Sequence, residues 1–262
     1  MAERANITPK VLKWARETAK ISVPDAAAKV SVKEEKIEEW ESGKSMPTIR
    51  QAKILANAYQ RSFAILFLPE IPNDFQPLQD FRKKGSEDLS TATLFIVREI
   101  QQKQAWISEE NRENEVERLP FVGKFSKSDL PETIAQDILQ TLEINPLDYQ
   151  NQEPIKYWIE KSENKGIFIS RTSFFHSHLI IDKDEIQGFA IADPYAPFIF
   201  INSADWNAPQ LFTLAHELAH IWIATSGISN HITPNIIDED KYHPVELFCN
   251  EIAANVFMPE TI

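Results

Sequence analysis

The chain has 262 residues, of which 43% are hydrophobic and 25% are charged, a composition typical of a folded protein with one large domain or two smaller ones. A net charge of -12 argues against a surface that binds nucleic acid throughout, and the lack of GxGxxG and GKS/T motifs argues against a phosphate-binding loop. The single cysteine, Cys249, cannot form an internal disulfide. Neither a secretion signal nor an apolar run long enough to span a membrane is seen, so we expect a cytoplasmic protein.

Charge is unevenly distributed along the chain. Residues 1–68 contain 12 lysines and arginines against 8 acidic residues, whereas residues 69–262 contain 15 against 31. This asymmetry indicates modules with different partners. We expect a helical domain at residues 1–68, a linker with a long connecting helix at 69–128, and a further domain at 129–262.

The first domain is predicted to be a bundle of short helices. Apolar residues recur at helical spacing, Ser22 and Pro24 mark a helix start, and Gly43 marks a helix end. The predicted helices span residues 7–20, 26–30, 32–44 and 48–60. The segment W-E-x-G-K-x-x-P-T at 40–48 resembles the helix-turn-helix domains of phage repressors, often called XRE-like. The resemblance implies that the helix at about 33–42 is a recognition helix that enters a DNA major groove.

The charge of this recognition helix is unusual for a DNA-binding surface. Residues 33–41 carry five glutamates and two lysines, although neutralisation of phosphates supplies most of the affinity for DNA. In one interpretation the glutamates point away and basic residues contact the phosphates. The candidates for these contacts are Lys29, Lys33, Lys36, Lys44 and Arg50. In the other interpretations the domain binds a protein, or it is a packing domain without a role in DNA binding.

The connecting region is predicted to be extended first and helical afterwards. Three prolines and little periodicity at 69–84 indicate a linker, in which Phe75, Leu78 and Phe81 lie on a surface. An apolar stripe predicts one long helix over residues 88–115. The stripe consists of Leu94, Ile96, Val97, Ile100, Gln104 and Ile107.

The last domain has the pattern of an α+β fold. A helix with Asp129 as its cap and Pro131 in its first turn opens the domain, and Gly166 ends the next helix. Segments rich in β-branched and aromatic residues predict a small antiparallel or mixed sheet, with a hairpin that turns at Lys183-Asp184. The predicted order is helices at 129–144 and 154–166, strands at 166–175, 179–193 and 197–202, and helices at 206–225 and 244–258. Helices followed by a small sheet and further helices are typical of an α+β domain.

One predicted helix carries a motif with metal-binding chemistry. LFTLAHELAHIW at 211–222 places His216 and His220 four residues apart, and therefore on one face of the helix. Both imidazoles can then reach one Zn²⁺, and Glu217 projects beside them, placed to take a proton from water. This is the HExxH arrangement of zinc peptidases, within the apolar surroundings of a buried helix. The competing interpretation is a pair of core histidines that bond to backbone groups.

A third protein ligand is required, and several residues qualify. The extended metzincin motif is excluded because its glycine and third histidine are missing after HExxH. The open candidates are His231, His243, Glu246 and Glu251. Glu246 and Asn250 share a helix face, so Glu246 would bind the ion while Asn250 supports one of the other ligands. Glu251 would then face elsewhere, and His243, just outside the helix, stays open.

The two helical motifs together resemble the ImmA/IrrE family of bacterial and phage metallopeptidases. HELAH is followed 26 residues later by a motif of the form E-x-x-C/A-N-x-h-A-A-x-h-h-M-P. In this chain the second motif consists of Glu246, Cys249, Asn250, Ala253, Ala254, Met258 and Pro259. The resemblance covers roughly 130–259 and implies a zincin-like domain with Zn²⁺ as its cofactor. The implied zinc ligands are His216, His220 and Glu246, and the implied catalytic base is Glu217. An XRE-like domain in front of this fold is familiar in the family, so the two resemblances support each other.

The resemblance implies a cytoplasmic zinc metalloendopeptidase that cleaves a specific regulatory protein, such as a repressor of a mobile element or of a stress response. Its domain at 1–68 would bind operator DNA or a protein. The alternative is an antitoxin-like transcriptional regulator, in which the peptidase fold is a scaffold and acidic surfaces bind a basic toxin. An intact Glu217 favours the enzyme, because a scaffold does not need a catalytic base. The expected partners are a protein substrate, a repressor or a toxin; homodimerisation is left open and no membrane is involved.

Hydrolysis also needs a group that stabilises the oxyanion and a place where substrate binds. The candidates for the first role are His176, His178, Tyr195, Tyr242 and His243, and for each one packing at the surface is the simpler explanation. We expect substrate to add as a strand along residues 187–193 or 197–202. The resemblance places such a strand beside the zinc.

Overall fold

The chain forms two compact units, Met1–Phe75 and Gln76–Ile262. The computed structural model describes residues 3–72, 78–80, 89–145, 153–175, 179–229 and 243–258. None of the described helices is long and apolar enough to cross a membrane.

The first unit is a bundle of four helices followed by a turn of 3₁₀ helix. Its elements are α1 (Pro9–Thr18), α2 (Val23–Lys29), α3 (Glu34–Glu41), α4 (Ile49–Ala58) and the 3₁₀ turn Phe63–Phe67. The Ser22 hydroxyl accepts a hydrogen bond from the Asp25 amide and so caps α2 as predicted. Thr48 and Gln51 form a reciprocal capping box at the start of α4. These local bonds explain why the helices begin where they do.

The bundle packs around an apolar core. The largest fully buried side chains of this core are Leu12, Ile37, Leu55, Tyr59 and Leu66. One ion pair is buried with them, because the Arg16 guanidinium donates to both carboxylate oxygens of Glu41, over 2.7 and 2.9 Å. This pair joins α1 to α3, and its two-fold hydrogen bonding offsets the desolvation of both charges.

The second unit combines helices with strands. Its described helices are α5 (Thr91–Glu113), α6 (Pro131–Leu142), α7 (Pro154–Glu163), α8 (Asn207–Trp222) and α9 (Pro244–Phe257). Its described strands are β1 (Gln79–Asp80), β2 (Phe168–Thr172), β3 (Phe174–Phe175), β4 (Leu179–Ile180), β5 (Gly188–Ile191), β6 (Phe198–Asn202) and β7 (Gly227–Ser229).

Five of these strands form one mixed sheet in the order β1-β7-β5-β6-β2. β2 runs parallel to β6 and β1 runs parallel to β7, whereas β5 is antiparallel to both of its neighbours. Every residue of β5 and β6 is buried, as expected for central strands covered by other elements. The helix α8 packs directly on these two strands. The HExxH motif therefore lies against the centre of the sheet.

The far end of α8 is anchored in the main core of this unit. Trp222 is fully buried, and its indole ring stacks on the Phe121 ring with 4.5 Å between the ring centroids. Its Nε1 donates a hydrogen bond of 2.8 Å to Asp137 on α6. A buried indole N–H usually finds an acceptor, and this bond also ties the end of α8 to α6.

The hairpin predicted over residues 179–193 is not formed. β4 pairs with β3 in a separate two-stranded sheet, whereas β5 pairs with β6 and β7. Between these strands, the buried Asn202 side-chain Nδ2 donates to the carbonyls of Ile181 (2.9 Å) and Ile186 (3.1 Å). These two bonds stabilise the loop between β4 and β5, and the two strands belong to different sheets.

One further expectation requires correction, and another gains detail. The N-cap of α6 is Leu130 and not Asp129, because the Asp129 carboxylate accepts hydrogen bonds from the amide and hydroxyl of Ser126 instead. The region predicted as a linker contributes the edge strand β1, which pairs with β7. Leu78 is half-buried there, while Phe75 and Phe81 lie outside the described residues.

The long helix α5 agrees with its predicted stripe in part. Ile96, Val97, Ile100 and Gln104 are buried, but Leu94 and Ile107 are only half-buried. The buried face also includes Ala92, Thr93, Phe95 and Ser108.

Candidate metal centre

The helix α8 buries its polar motif together with its apolar residues. His216 is 6% exposed, and Glu217 and His220 are fully buried. An isolated charge or imidazole at such depth is costly unless it is paired or binds a cation. The helix therefore carries three polar side chains at positions where leucine or alanine would serve packing alone.

A carboxylate from α9 completes a compact cluster. The Nε2 atoms of His216 and His220 lie 3.1 Å apart. Glu246 places one carboxylate oxygen 3.2 Å from the Nε2 atom of His216 and the other 3.1 Å from the Nε2 atom of His220. Glu246 is 1% exposed, and apart from these ring nitrogens its oxygens have no hydrogen-bond partner among the described residues. Two imidazoles and one carboxylate thus converge on a single point between two helices.

The outer ring nitrogens of both histidines are held by side-chain oxygens. The Nδ1 atom of His216 lies 3.0 Å from Asn250 Oδ1, and the Nδ1 atom of His220 lies 2.8 Å from Thr225 Oγ1. A hydrogen bond from Nδ1–H to oxygen leaves the lone pair on Nε2 facing the cluster. Asn250 was expected in this role from its helical spacing to Glu246, whereas Thr225 was not singled out by any sequence pattern.

In the cluster, the negatively charged Glu246 carboxylate stabilises the protonated, positively charged form of His216. Burial by itself lowers the pKa of His216, but the charge of Glu246 and its hydrogen bond outweigh this effect and raise the pKa to about 9. Burial raises the pKa of Glu246, but the charge of His216 and hydrogen bonds from both rings lower it to about 2. Burial also lowers the pKa of His220 and raises the pKa of the Cys249 thiol. In the metal-free protein a proton on His216 therefore balances the charge of Glu246.

This arrangement fits a zinc ion. Within the described part of the chain, His216, His220 and Glu246 are the one group of three such residues whose ligand atoms all lie within 4.8 Å of one another. Two imidazole nitrogens and one carboxylate are a donor set of catalytic zinc sites, which keep a further position open. The buried carboxylate aimed at two ring nitrogens, with both outer nitrogens already engaged, is the observation that supports the fit.

The Glu217 carboxylate lies against strand β5, and its charge is among those that raise the pKa of His216. A Cβ atom built on Gly188 of β5 would lie 2.8 Å from Glu217 Oε1 and 2.7 Å from Thr213 Cγ2. Real Cβ atoms do not approach other atoms so closely, so the missing side chain at Gly188 makes room for the carboxylate. Sequence reasoning missed Gly188, because a glycine inside a strand does not reveal which helix packs against it.

Comparison with protein families agrees with both resemblances. Residues 163–262 match the IrrE N-terminal-like domain, a peptidase family, and residues 12–66 match a helix-turn-helix domain. The chain thus carries a segment similar to helix-turn-helix domains, followed by a segment similar to the IrrE N-terminal-like domain, called the IrrE-like domain below. This finding confirms the predicted ImmA/IrrE and XRE-like resemblances, and with them the α+β fold class with an all-α N-terminal bundle. Comparisons with curated proteins and with solved structures find no match.

The IrrE-like domain does not offer substrate the edge that the sequence predicts. Residues 187–193 include β5, and residues 197–202 include β6. β5 pairs with β6 and β7, and β6 pairs with β5 and β2. A strand that is paired on both sides has no free backbone groups for an added strand. Of the described strands in this sheet, only β1 and β2 lie at an edge.

The remaining candidates for the third metal ligand and for the group that stabilises the oxyanion lie in different environments. Glu251 is exposed on α9. His243 is the N-cap of α9, and its Nδ1 atom accepts a hydrogen bond of 3.3 Å from the Val245 amide. The Tyr195 hydroxyl accepts a hydrogen bond of 3.0 Å from Arg118. The other candidates lie outside the described residues: His176, His178, His231 and Tyr242.

All five candidate DNA contacts of the helix-turn-helix domain are exposed. They are Lys29, Lys33, Lys36, Lys44 and Arg50. Lys36 differs from the others, because its ammonium lies 2.6 Å from Glu39. Lys29 and Arg50 line one surface pocket together with Thr48, the N-cap of α4.

The glutamates of α3 divide into two groups. Glu39 accepts hydrogen bonds from Lys36 and Ser45, and Glu41 is bound to Arg16, so both are used inside the unit. Glu34, Glu35 and Glu38 are exposed. The surface of α3 therefore presents three carboxylates beside the basic residues.

Proposed function

We propose that the chain is a zinc-dependent endopeptidase that cleaves a regulatory protein. The observation that carries this proposal is the convergence of His216, His220 and Glu246 on one point, next to the buried carboxylate of Glu217. A scaffold that only binds a partner does not need three buried ligands or a further buried carboxylate, since each carries a desolvation cost.

The chain's own groups divide the work of hydrolysis among them. His216, His220 and Glu246 would hold the zinc, while Asn250 orients one of the rings. Zinc in such a site polarises the scissile carbonyl and makes water acidic enough to ionise near neutral pH. Glu217 takes a proton from the attacking water and delivers it to the departing amine. Glu217 is buried, so bulk water does not compete for its carboxylate during proton transfer. Gly188 has no side chain and so leaves space for this carboxylate.

The substrate class follows from the two domains together. The helix-turn-helix domain supports a role in gene regulation, with operator DNA as its ligand and the exposed basic residues as its phosphate contacts. A peptidase joined to such a domain is suited to one target, such as a repressor, whose loss changes transcription.

A second function is favoured by the exposed carboxylates of α3. Glu34, Glu35 and Glu38 on the recognition helix repel phosphates and suit a basic protein partner, such as a toxin. In that case the chain is an antitoxin-like regulator and the peptidase fold a scaffold. The two functions differ in whether Glu217 is needed.

The test compares cells that express the wild-type chain with cells that express Glu217→Gln, by mass spectrometry of newly formed protein N-termini. We expect Glu217→Gln to retain zinc but to lose the new N-termini, because loss of a general base costs about 10²–10⁴-fold in rate. Glu251→Gln is the matched control, since this carboxylate is exposed on α9. New N-termini that persist in Glu217→Gln would contradict the peptidase and favour the scaffold.

A further inference from the structure

The turn after the HExxH helix brings a hydroxyl group against the second histidine. We propose that Thr225 is a positioning residue, which orients His220 and keeps its Nε2 lone pair directed at the metal. This inference rests on the proposed function, because it concerns the same zinc site. The Thr225 hydroxyl is 2.8 Å from the Nδ1 atom of His220.

The backbone of the turn explains how Thr225 reaches the ring. Ala224 takes a left-handed conformation with a φ of 52°, and the Thr225 amide then donates a hydrogen bond of 2.9 Å to the carbonyl of His220. A left-handed residue after the last turn is a common way to end a helix and to satisfy its free carbonyls. It reverses the chain within two residues, so the side chain of Thr225 returns to the helix it has just left.

A second segment supports this turn from outside. Gly123 donates a hydrogen bond of 3.0 Å to the carbonyl of Ile221, and Phe125 donates one of 3.1 Å to the carbonyl of Trp222. A Cβ atom on Gly123 would lie 2.8 Å from the Cβ atom of Ala224. The close contact with a glycine holds the left-handed residue in place, and with it the hydroxyl of Thr225.

The hydroxyl acts on the ring in a specific way. When His220 binds a metal through Nε2, its Nδ1 atom carries the proton and donates to the Thr225 oxygen. This bond selects the tautomer and restricts rotation of the ring, and partners of this kind affect metal affinity strongly. His220 is fully buried, so water is a poor substitute for the lost hydroxyl.

The neighbouring residue provides a natural control. The Ser226 hydroxyl accepts a hydrogen bond of 2.9 Å from the Ala192 amide, and so ties the same turn to the sheet and not to the histidine. Replacing Ser226 therefore disturbs the turn without removing the oxygen beside His220.

The experiment measures the zinc dissociation constant of the full chain by competition with a chromophoric chelator. We expect Thr225→Val, which keeps the shape but removes the hydroxyl, to weaken zinc binding by about 10–100-fold. Thr225→Ser keeps the hydroxyl and should stay within about threefold of the wild type, as should Ser226→Ala, because neither removes the acceptor of His220. The visible spectrum of the cobalt-substituted chain should change in Thr225→Val alone.

Each other outcome has a defined meaning. Wild-type affinity in Thr225→Val overturns the inference and leaves the zinc site intact. Equal weakening in Thr225→Val, Thr225→Ser and Ser226→Ala shows a general effect on the turn and overturns it as well. If the wild-type chain binds no zinc, or if His220→Ala binds zinc as tightly as the wild type does, the proposed function fails and the inference fails with it.

Discussion

At the level of single residues, each atom of the metal cluster has a separate task. The inner nitrogens of His216 and His220 face Glu246, and the outer nitrogens face Asn250 and Thr225. In the metal-free protein the cluster holds a proton where a cation would bind, since the pKa of His216 is raised. Binding of zinc and binding of this proton therefore exclude each other.

The first expectation concerns pH. Because the pKa of His216 is raised to about 9 and that of His220 is lowered, zinc must displace about one proton at pH 7. Zinc affinity should rise with pH below about 9 and level off above it. Calorimetry at pH 7 in buffers with different ionisation enthalpies measures the number of protons released. Fewer protons should be released in Glu246→Gln, because the negative charge that raises the pKa of His216 is gone. A wild-type chain that releases no proton on zinc binding would contradict this expectation.

The second expectation concerns the space around Glu217. Gly188→Ala should lower the free energy of unfolding by about 1–3 kcal/mol, because the new methyl group meets Thr213 and Glu217 in a packed core. Thr213→Ser removes the nearest carbon and should recover part of the loss.

Denaturant unfolding of the two single variants and the double variant measures this coupling. A Gly188→Ala chain as stable as the wild type, or a Thr213→Ser effect that is the same in both backgrounds, would show that the contact is relieved without cost.

At the level of elements, helices define the site and the strands place it. α8 contributes two ligands from one face, as the period of 3.6 residues requires, and α9 contributes the third from a facing position. The central strands β5 and β6 support α8, and because each is paired on both sides neither has a free edge for substrate. In the other unit, α3 combines three exposed glutamates with one exposed lysine, Lys36.

The third expectation concerns DNA and belongs to α3 and α4. Each phosphate contact that is lost should reduce the slope of log affinity against log salt by about 0.9. We expect such a decrease for Arg50→Ala, and a smaller one for Lys36→Ala, because Glu39 already compensates the charge of Lys36.

The measurement is a salt titration of the full chain with a duplex from its own promoter region. Lys53→Ala is the control, since this exposed lysine lies over the ring of Phe63. No binding at low salt, or equal slopes in all variants, would favour a protein partner for this domain.

At the level of the whole molecule, all three candidate ligands belong to one unit. His216, His220 and Glu246 lie within Gln76–Ile262, whereas the helix-turn-helix bundle lies within Met1–Phe75. A ligand that binds only the native state stabilises the part of the chain that forms its site. Zinc should therefore stabilise the second unit and leave the stability of the first unit unchanged.

The fourth expectation follows from that division. Zinc at about a thousand times its dissociation constant should stabilise the native state by about 4.1 kcal/mol. Hydrogen exchange of the full chain, read by mass spectrometry of peptides, should show the added protection in α8 and α9 and none in α1 to α4. His220→Ala should abolish the difference. Equal protection in both units would contradict this assignment.

Local chemistry was readable from the sequence alone. The HExxH spacing, the shared face of Glu246 and Asn250, the Ser22 cap and the helical course of the first domain all depend on residues within one or two helical turns of each other. Such patterns obey the period of the helix wherever it packs. The two domain families and the α+β class followed from them.

Contacts between distant segments were decided only by the tertiary structure. The sequence does not show that Asn202 bonds to the loop between β4 and β5, or that Gly188 lies against Glu217, because strand pairing and helix packing depend on the whole core. Thr225 is close in sequence to His220, yet it reaches the ring only through a left-handed alanine, a conformation without a sequence signature. The sequence by itself determined which groups could hold a metal, and packing decided what surrounds and orients them.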